Sequence, residues 1–239
     1  SEEIGAFSDA KIKVLENGPL RAVIRVISSY GNSELGIDWT LYTGGKSLEA
    51  KVTLDWHERL KMLKFSFPAD VESPSPTYET PYGNIVREAN GNEDPGQRWI
   101  DLTGNRNNGK YGLTVLNDAK YGYSVKENDM RLSVVRSSPF AHHNPKVLDA
   151  NSEHIWMDQG IQTFRMMLIP HAGTWQDVNI PRFAEEFISP ALVIYQGIHK
   201  GSLPKSDSFV SVNKENVIVS AVKEAETGED LILRCVETL

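Results

Sequence analysis

Apolar and polar residues alternate with a period of two along most of this chain, which is the pattern of β-strands that bury one face. The alternation is clearest in six runs: 20–27, 48–56, 60–67, 112–116, 131–135 and 162–169. Tight-turn sequences separate such runs: Asn17-Gly18-Pro19, Tyr30-Gly31-Asn32, Thr43-Gly44-Gly45, Asn107-Asn108-Gly109 and Thr227-Gly228-Glu229. Because the runs recur roughly every eight to twelve residues, the pattern predicts an all-β fold in which extended antiparallel sheets pack as a sandwich.

Three segments depart from the strand pattern. Residues 180–188 place apolar side chains at helical spacing, with Pro181 at the start and Pro190 beyond the end. These signals predict one short helix near 180–189. Residues 70–96 and 137–158 contain many Pro, Asn, Gly and charged residues and show no strand pattern. We expect both to be long irregular loops, which in compact sheet domains commonly bind ligands.

Composition narrows the class of protein. The 239 residues are 40% hydrophobic, which is enough for a substantial core, and their formal net charge of −7 argues against a nucleic-acid-binding domain. No run of about 18 apolar residues occurs, so no membrane-spanning helix is expected. The single cysteine, Cys235, lies in the apolar run 231–236 and is expected to be a small buried residue. A chain without disulfides is typical of a reducing compartment.

The chain is predicted to be a single domain, 1–239, because no linker or internal repeat divides it. It begins at Ser1 and ends at Leu239, directly after a strand-like run. Natural domains seldom end in this way without a turn or a polar tail. We therefore expect the chain to be part of a longer protein.

No familiar catalytic motif occurs in the sequence, neither a G-x-S-x-G elbow, nor a glycine-rich phosphate loop, nor an H-E-x-x-H helix. His142 and His143 lie near Asp149, Glu153 and His154, but adjacent histidines in an extended segment point to opposite sides, so we predict no metal site in this chain. Four clusters combine aromatic rings with carboxylate, amide or guanidinium groups, as sugar-binding sites do: 78–83, 97–101, 117–123 and 136–139. Each cluster also has a purely structural interpretation as core or turn.

Short motifs in these regions resemble, in their order, the C-terminal β-domain of the family 38 glycoside hydrolases, the zinc-dependent α-mannosidases, and in particular their bacterial and cytosolic branch. The resemblance covers roughly residues 10–239. The motifs are Asp55-Trp56-His57-Glu58-Arg59, Leu63-Lys64-Phe65-Ser66-Phe67-Pro68, Tyr82-Gly83, Arg98-Trp99-Ile100-Asp101-Leu102, Tyr111-Gly112-Leu113, Leu116-Asn117-Asp118-Ala119-Lys120-Tyr121-Gly122, Arg136-x-x-Pro139, Asp158-Gln159-Gly160 and Leu168-Ile169-Pro170-His171.

The resemblance implies a supersandwich like that of the galactose mutarotases, packed against a separate N-terminal catalytic domain. It implies retaining hydrolysis of terminal α-mannosidic linkages, with the carboxylate nucleophile and the zinc ligands in that other domain. No catalytic residue and no cofactor are then expected in this chain, and zinc is expected in the full-length enzyme. The implied partners are the catalytic domain and mannosides, homo-oligomers are left open, and the implied location is the cytoplasm.

Four residues are implied as substrate contacts by the same resemblance: Arg136, Tyr82, Asp101 and His143. Arg136 is the strongest of them, because it matches an arginine that follows a strand in the family, and its charge could anchor sugar hydroxyls or hold a carboxylate in place. The same four residues could instead form the interface with the catalytic domain.

Three other functions stay open at this stage. The chain could be an independent carbohydrate-binding module. It could be a mutarotase-like or epimerase-like enzyme, with His143 or His171 as acid and Glu79 or Asp158 as base. It could also be an interaction domain that only holds the catalytic domain in shape, in which case a large apolar patch should be exposed.

Overall fold

The structure is a computed structural model that describes residues 2–141, 147–149 and 151–239. Within these residues the chain forms fifteen strands and one helix. In chain order they are β1 (Ser8–Asn17), β2 (Arg21–Tyr30), β3 (Ser33–Tyr42), β4 (Leu48–Trp56), β5 (Met62–Pro68), β6 (Glu72–Thr80), β7 (Gly83–Val86), β8 (Asn90–Pro95), β9 (Trp99–Arg106), β10 (Gly109–Asn117), β11 (Gly122–Lys126), β12 (Asp129–Arg136), β13 (Gly160–Ala172), α1 (Ile180–Ile188), β14 (Val217–Glu224) and β15 (Leu231–Glu237).

The strands form three sheets. The large sheet has nine strands in the order β1-β2-β3-β4-β13-β10-β9-β6-β7, the small sheet has four in the order β5-β12-β11-β8, and β14 and β15 form a hairpin. Every pairing between these strands is antiparallel. The predicted all-β antiparallel sandwich is therefore confirmed.

The predicted turns and the predicted helix are also confirmed. Each of the five turn sequences joins two consecutive strands, and α1 has a proline in its first turn. Gly31, between β2 and β3, shows why a glycine is needed: its φ is +57°, and a Cβ there would overlap the side chain of Glu58. Only glycine meets both conditions without strain.

The main core lies between the large and the small sheet. Val52, Leu54 and Leu102 of the large sheet and Val125 and Leu132 of the small sheet are all buried in it. Each comes from a strand in which apolar side chains alternate with others, so the period of two in the sequence corresponds to this buried face. Burial of one such side chain stabilises the fold by roughly 1.5–3 kcal/mol.

A second core lies on the opposite face of the large sheet, beneath α1. Trp99 and Leu116 of the sheet pack there with Trp175, Ile180 and other buried residues. The ring centroids of Trp99 and Trp175 are 5.1 Å apart. Because strands β9, β10 and β13 contribute to both cores, the centre of the large sheet is buried on its two faces.

The prediction of a long loop over 70–96 is wrong, because this segment contains β6, β7 and β8. Pro74 lies in an irregularity of the β6–β9 pairing, and Pro76 precedes the part of β6 that pairs with β7. Strand β8, rich in Asn and acidic residues, is an edge strand that pairs with β11 alone. Edge positions tolerate proline and polar residues, since missing or solvated hydrogen-bonding groups cost little there. In contrast, the described part of 137–158 is irregular, as predicted, with a single bridge between Pro139 and Trp156.

Cys235 is exposed, which corrects the prediction that it is buried. It lies on β15, and the β14–β15 hairpin packs little of its surface against either core. Strand alternation in a two-stranded sheet therefore does not guarantee burial. Among the described residues, no helix has the length and apolar character needed to cross a membrane.

The large sheet extends beyond the small sheet that covers it. The strand registers align Ile12, Val26, Ile37 and Val52 in one row across β1 to β4. Val52 is fully buried in the main core, whereas Ile12, in the same row, is 71% exposed. We call the exposed part of this side of β1 to β3 the uncovered face.

Candidate functional site

Strand ends from both sheets meet along one rim of the sandwich. The antiparallel registers place the end of β6, the start of β9, the end of β10 and the start of β13 at the same end of the large sheet. The start of β11 and the end of β12 meet at one end of the small sheet, and residues 118–121 connect β10 directly to β11. We call this edge the rim. The four polar and aromatic clusters predicted from the sequence all reach it.

Tyr82 lies on the rim, in the turn between β6 and β7. Its side chain is 70% exposed, and its backbone is left-handed, with φ +58°. It borders a cavity of about 340 Å³ between this turn, α1 and the β14–β15 hairpin, which we call the rim cleft. Its polar and aromatic lining includes Glu79, Tyr82, Arg98, Trp99, Glu185 and Glu237.

An ion-pair network forms one wall of the rim cleft. Arg98 Nη2 donates to Glu79 Oε1 at 2.6 Å, and Arg98 Nη1 donates to Glu185 Oε2 at 2.5 Å. The backbone N–H of Arg98 also donates to Glu79 Oε2 at 2.6 Å. Burial alone would lower the pKa of the Arg98 guanidinium, but hydrogen bonds and charge interactions with Glu79 and Glu185 outweigh burial and raise the pKa. The network thus fixes β6, the start of β9 and α1 relative to one another.

The charge of the rim cleft is negative. Hydrogen bonds from the backbone of Leu239 and the side chain of Asn216 lower the pKa of Glu237. The three carboxylates and the one guanidinium of the lining therefore have a formal charge of −2 at neutral pH. Such a site disfavours anionic ligands.

Arg136 lies at another part of the rim, as the last residue of β12. Its backbone N–H donates to Asp158 Oδ2 at 2.8 Å, and its side chain extends into solvent. Gln162 Nε2 donates to the backbone oxygen of Asp158 at 3.1 Å, and Gln162 Oε1 accepts from Lys120 Nζ at 2.7 Å. Burial lowers the pKa of the Lys120 ammonium, and the charge of Asp158 opposes this effect in part. We call Arg136, Asp158, Gln162 and Lys120 together the Arg136 corner.

The Asn117 side chain explains the local geometry of the turn that contains Lys120. Asn117 Oδ1 accepts from the backbone N–H groups of Ala119 at 3.1 Å and Lys120 at 2.5 Å. Asn117 Nδ2 donates to Tyr123 Oη at 2.7 Å, and that hydroxyl donates to the backbone oxygen of Gln97 at 2.7 Å. This arrangement agrees with the interpretation of Asn117 and Asp118 as a turn, and it holds Lys120 at the rim.

Asp101 lies inside the domain rather than on its surface. Its carboxylate is fully buried and accepts hydrogen bonds from Thr103 Oγ1 at 2.6 Å, Thr114 Oγ1 at 2.7 Å and His171 Nε2 at 2.7 Å. An ionised carboxylate only accepts hydrogen bonds, so a hydrogen bond from His171 to Asp101 requires the imidazole proton on Nε2. This arrangement joins β9, β10 and β13. His143 lies outside the described residues. Substrate contact by Arg136, Tyr82, Asp101 and His143 stays a prediction.

For a mutarotase-like enzyme, the described residues show no hydrogen bond between His171 and either suggested base, Glu79 or Asp158, and the pairs with His143 lie outside the described residues. The described partner of His171 is Asp101. Glu79 is bound by Arg98, and Asp158 accepts from the backbone of Arg136.

Sequence reasoning did not find Glu185 or Glu237. Glu185 is 87 positions from Arg98, its ion-pair partner, and only the packing of α1 on the sheet brings them together. One signal was available: Glu185 directly follows Ala184, on a helix whose buried face includes Ile180, Ala184 and Phe187, so it borders that face. Glu237, at the end of an exposed hairpin, gave no comparable signal.

The fold and the rim define an antiparallel β-sandwich domain with polar and aromatic clusters along one edge. An alpha-mannosidase from Enterococcus faecalis V583 contains the same fold, with a TM-score of 0.78 and 14% sequence identity, over 95% of this chain and 29% of that one. Residues 2–142 match the family model of the glycosyl hydrolases family 38 C-terminal domain. The chain belongs to this family, which confirms the resemblance inferred from the ordered motifs; its bacterial or cytosolic branch stays a prediction.

Curated relatives are much longer than this chain. Alpha-mannosidase 2C1 of Mus musculus is 32% identical over 86% of this chain and 19% of its own length. Alpha-mannosidase G of Dictyostelium discoideum is 27% identical over 95% of this chain and 21% of its own length. The chain therefore spans about one fifth of the relatives that it matches.

Proposed function

We propose that this chain is the C-terminal domain of an α-mannosidase that hydrolyses terminal α-mannosidic linkages with retention of configuration. It supports the catalytic part of that enzyme and contributes rim residues to substrate binding. The observation that carries the proposal is the family match over residues 2–142, together with relatives that are named α-mannosidases and are about five times longer.

The uncovered face supports a docking role. Ile12 and Val14 of β1 are 71% and 60% exposed, although the residues in the same cross-strand rows on β4, Val52 and Ala50, are buried. Ile24 of β2, which pairs with Val14, is 40% exposed and belongs to the same surface. Contiguous apolar surface of this kind marks protein interfaces, and its burial is favourable by about 25 cal/mol per Å². In our proposal the catalytic part of the same enzyme covers this surface.

Arg136 is the rim residue to which we assign substrate contact beyond the cleaved sugar. Its backbone is held by Asp158, while its side chain is exposed and free to extend. A guanidinium group offers five donors in a planar array, which suits vicinal hydroxyls or a carboxylate of the catalytic part. Tyr82 presents an aromatic face at the same rim.

Zinc and the nucleophile are assigned to the remainder of the enzyme. Among the described residues, no group of three or more His, Cys, Asp or Glu is arranged to hold a metal ion, so the residues present do not fit a zinc site. Retaining hydrolysis needs a carboxylate nucleophile and a second carboxylic acid on opposite sides of the scissile bond. We assign neither to this chain, whose contribution is the positioning of substrate. The cytoplasmic location and association into homo-oligomers stay predictions.

The proposal is tested with an aryl α-mannoside, using the 239-residue chain and a longer polypeptide that includes the remainder of the enzyme. We expect hydrolysis only by the longer polypeptide, and we expect a chelator to abolish it. Hydrolysis by the 239-residue chain that survives chelation would overturn the proposal.

The role of Arg136 needs a separate measurement in the longer polypeptide. Arg136→Ala is expected to raise KM for α-mannooligosaccharides about tenfold, because loss of one charged hydrogen bond costs roughly 1.5–3 kcal/mol. Arg21→Ala is the matched control, since Arg21 is an exposed arginine at the opposite end of the large sheet. Equal KM values for Arg136→Ala and the parent would remove Arg136 from the site.

A further inference from the structure

We propose that the rim cleft is a binding site for a neutral saccharide, separate from the Arg136 corner. The cleft lies on the side of the large sheet that packs against α1, between the β6–β7 turn and the β14–β15 hairpin. The Arg136 corner is formed by β12, β13 and the turn after β10. The inference does not depend on the hydrolytic function, because saccharide binding at the cleft needs no catalytic part.

The volume of the cleft fits one or two sugar rings. Its cavity of about 340 Å³ falls within the range of roughly 300–1,000 Å³ that is typical of small-molecule sites. Two apolar side chains, Ile218 and Val236, come from the hairpin, and Pro181 comes from α1. An open polar groove would lack such walls.

The polar lining both donates and accepts hydrogen bonds. Glu79 and Glu185 provide carboxylate oxygens, Arg98 provides N–H groups, and the amides of Asn84 and Gln97 provide both. A sugar hydroxyl also donates and accepts, so a saccharide can use the whole set. Tyr82 adds an exposed ring, against which the apolar face of a sugar can stack.

The charge of the cleft excludes other ligand classes. Its formal charge of −2 repels phosphates and sugar acids. A cation is not the better match, because it would use only the carboxylates and would leave the amide donors of Asn84 and Gln97 without a partner.

Two features show that the cleft is prepared in advance. The Arg98 network holds the wall in place, so little side-chain freedom is lost when a ligand binds. Tyr82 follows Pro81 in the short turn between β6 and β7, and the proline ring restricts the backbone there.

The inference is tested by titrating the 239-residue chain with α-mannobioses, maltose and cellobiose, followed by calorimetry and ligand-observed NMR. We expect saturable millimolar binding of at least one of these neutral disaccharides. Tyr82→Ala should weaken it at least tenfold, and Asn84→Ala should weaken it by a smaller factor. Tyr42→Ala is the matched control, because Tyr42 is an exposed tyrosine at the opposite end of the large sheet and outside the cleft lining, and its binding should equal that of the parent.

Each contrary outcome has a definite meaning. The proposal is overturned if no neutral disaccharide binds saturably at about 20 mM, a concentration that detects millimolar affinity. It is also overturned if Tyr82→Ala binds as well as the parent or if Tyr42→Ala loses as much affinity. Tighter binding of spermine or inorganic phosphate than of every sugar would overturn it too. Circular dichroism melting of each variant verifies that it is folded. Failure here leaves the hydrolysis test on the longer polypeptide unaffected, so the two proposals fail separately.

Discussion

Replacement of Asp101 by alanine removes a carboxylate that three buried or half-buried donors share. The side chains of Asp101 and His171 are 0% and 1% exposed, and the distance between Asp101 Oδ2 and His171 Nε2 is 2.7 Å. A buried donor that is left without its acceptor costs about 1–3 kcal/mol, so loss of an acceptor shared by three such donors should cost about 3 kcal/mol or more. A typical domain is stable by only about 5–15 kcal/mol, so Asp101→Ala should remove at least about a fifth of the stability.

Urea unfolding followed by tryptophan fluorescence measures this loss directly, since Trp99 and Trp175 lie in the core beneath α1. Thr103→Val is the matched control, because it removes a single donor and should cost about 1 kcal/mol. The double variant Asp101→Ala/His171→Ala should cost at least about 1 kcal/mol less than the sum of the single variants.

A shift below about 1 kcal/mol for Asp101→Ala, or strict additivity in the double variant, would refute this reasoning. The same experiment also separates a structural role from substrate contact. If Asp101 contacts substrate, Asp101→Asn should lower the activity of the longer polypeptide while the urea midpoint stays unchanged. Its complete burial leads us to expect the reverse.

Three further predictions concern the turn after β2, the acid stability and the uncovered face. Gly31→Ala should destabilise the chain by about 2–3 kcal/mol in urea unfolding, because φ is positive and the new Cβ meets the Glu58 side chain. Gly44→Ala is the control and should cost about 1 kcal/mol, because φ is positive there but the space around the Cβ is open. Equal costs for the two variants would contradict the steric argument. A hydrogen bond from Lys61 lowers the pKa of Glu58 below its usual 4.5, so its contribution to stability is present above that pH and is lost as the pH falls through the folded-state pKa. Glu58→Gln should therefore flatten the acid limb of the unfolding free energy against pH, and an unchanged limb would exclude this cause. Ile12→Asp should change the stability of the 239-residue chain by less than about 0.5 kcal/mol, yet lower the thermal midpoint of the longer polypeptide; equal shifts in both would argue against docking at this face.

The sequence was sufficient to predict those elements whose local pattern and tertiary environment agree. Strand β4 has the predicted bounds, and every second side chain from Ala50 to Trp56 enters the main core. Helix α1 has both a start and a stop signal. The pattern failed for β6, β7 and β8, because their proline, glycine and polar residues hide the alternation, and β6 and β8 also depend on pairing with β9 and β11. It failed for Cys235 because no second layer covers the hairpin.

The candidate site shows the same division. The clusters around Tyr82, Arg98, Asn117 and Arg136 could be identified from residue types, since sugar sites have a recognisable composition. That these clusters share one rim follows from strand pairings that join residues up to 61 positions apart, such as Tyr111 and Ala172. Only the packed structure brings Glu185 to Arg98, and only the structure shows that Asp101 is buried.

The edge strand β1 limits how a partner can approach the uncovered face. Its pairing with β2 is interrupted by two register shifts, and Lys11 and Lys13 alternate with the apolar side chains. Bulges and lysines at a free edge discourage the addition of another strand. A partner therefore has to lie across the sheet and pack onto its side chains rather than lengthen it. The same edge that leaves apolar surface available for one specific contact thus protects the domain from open-ended strand-by-strand assembly.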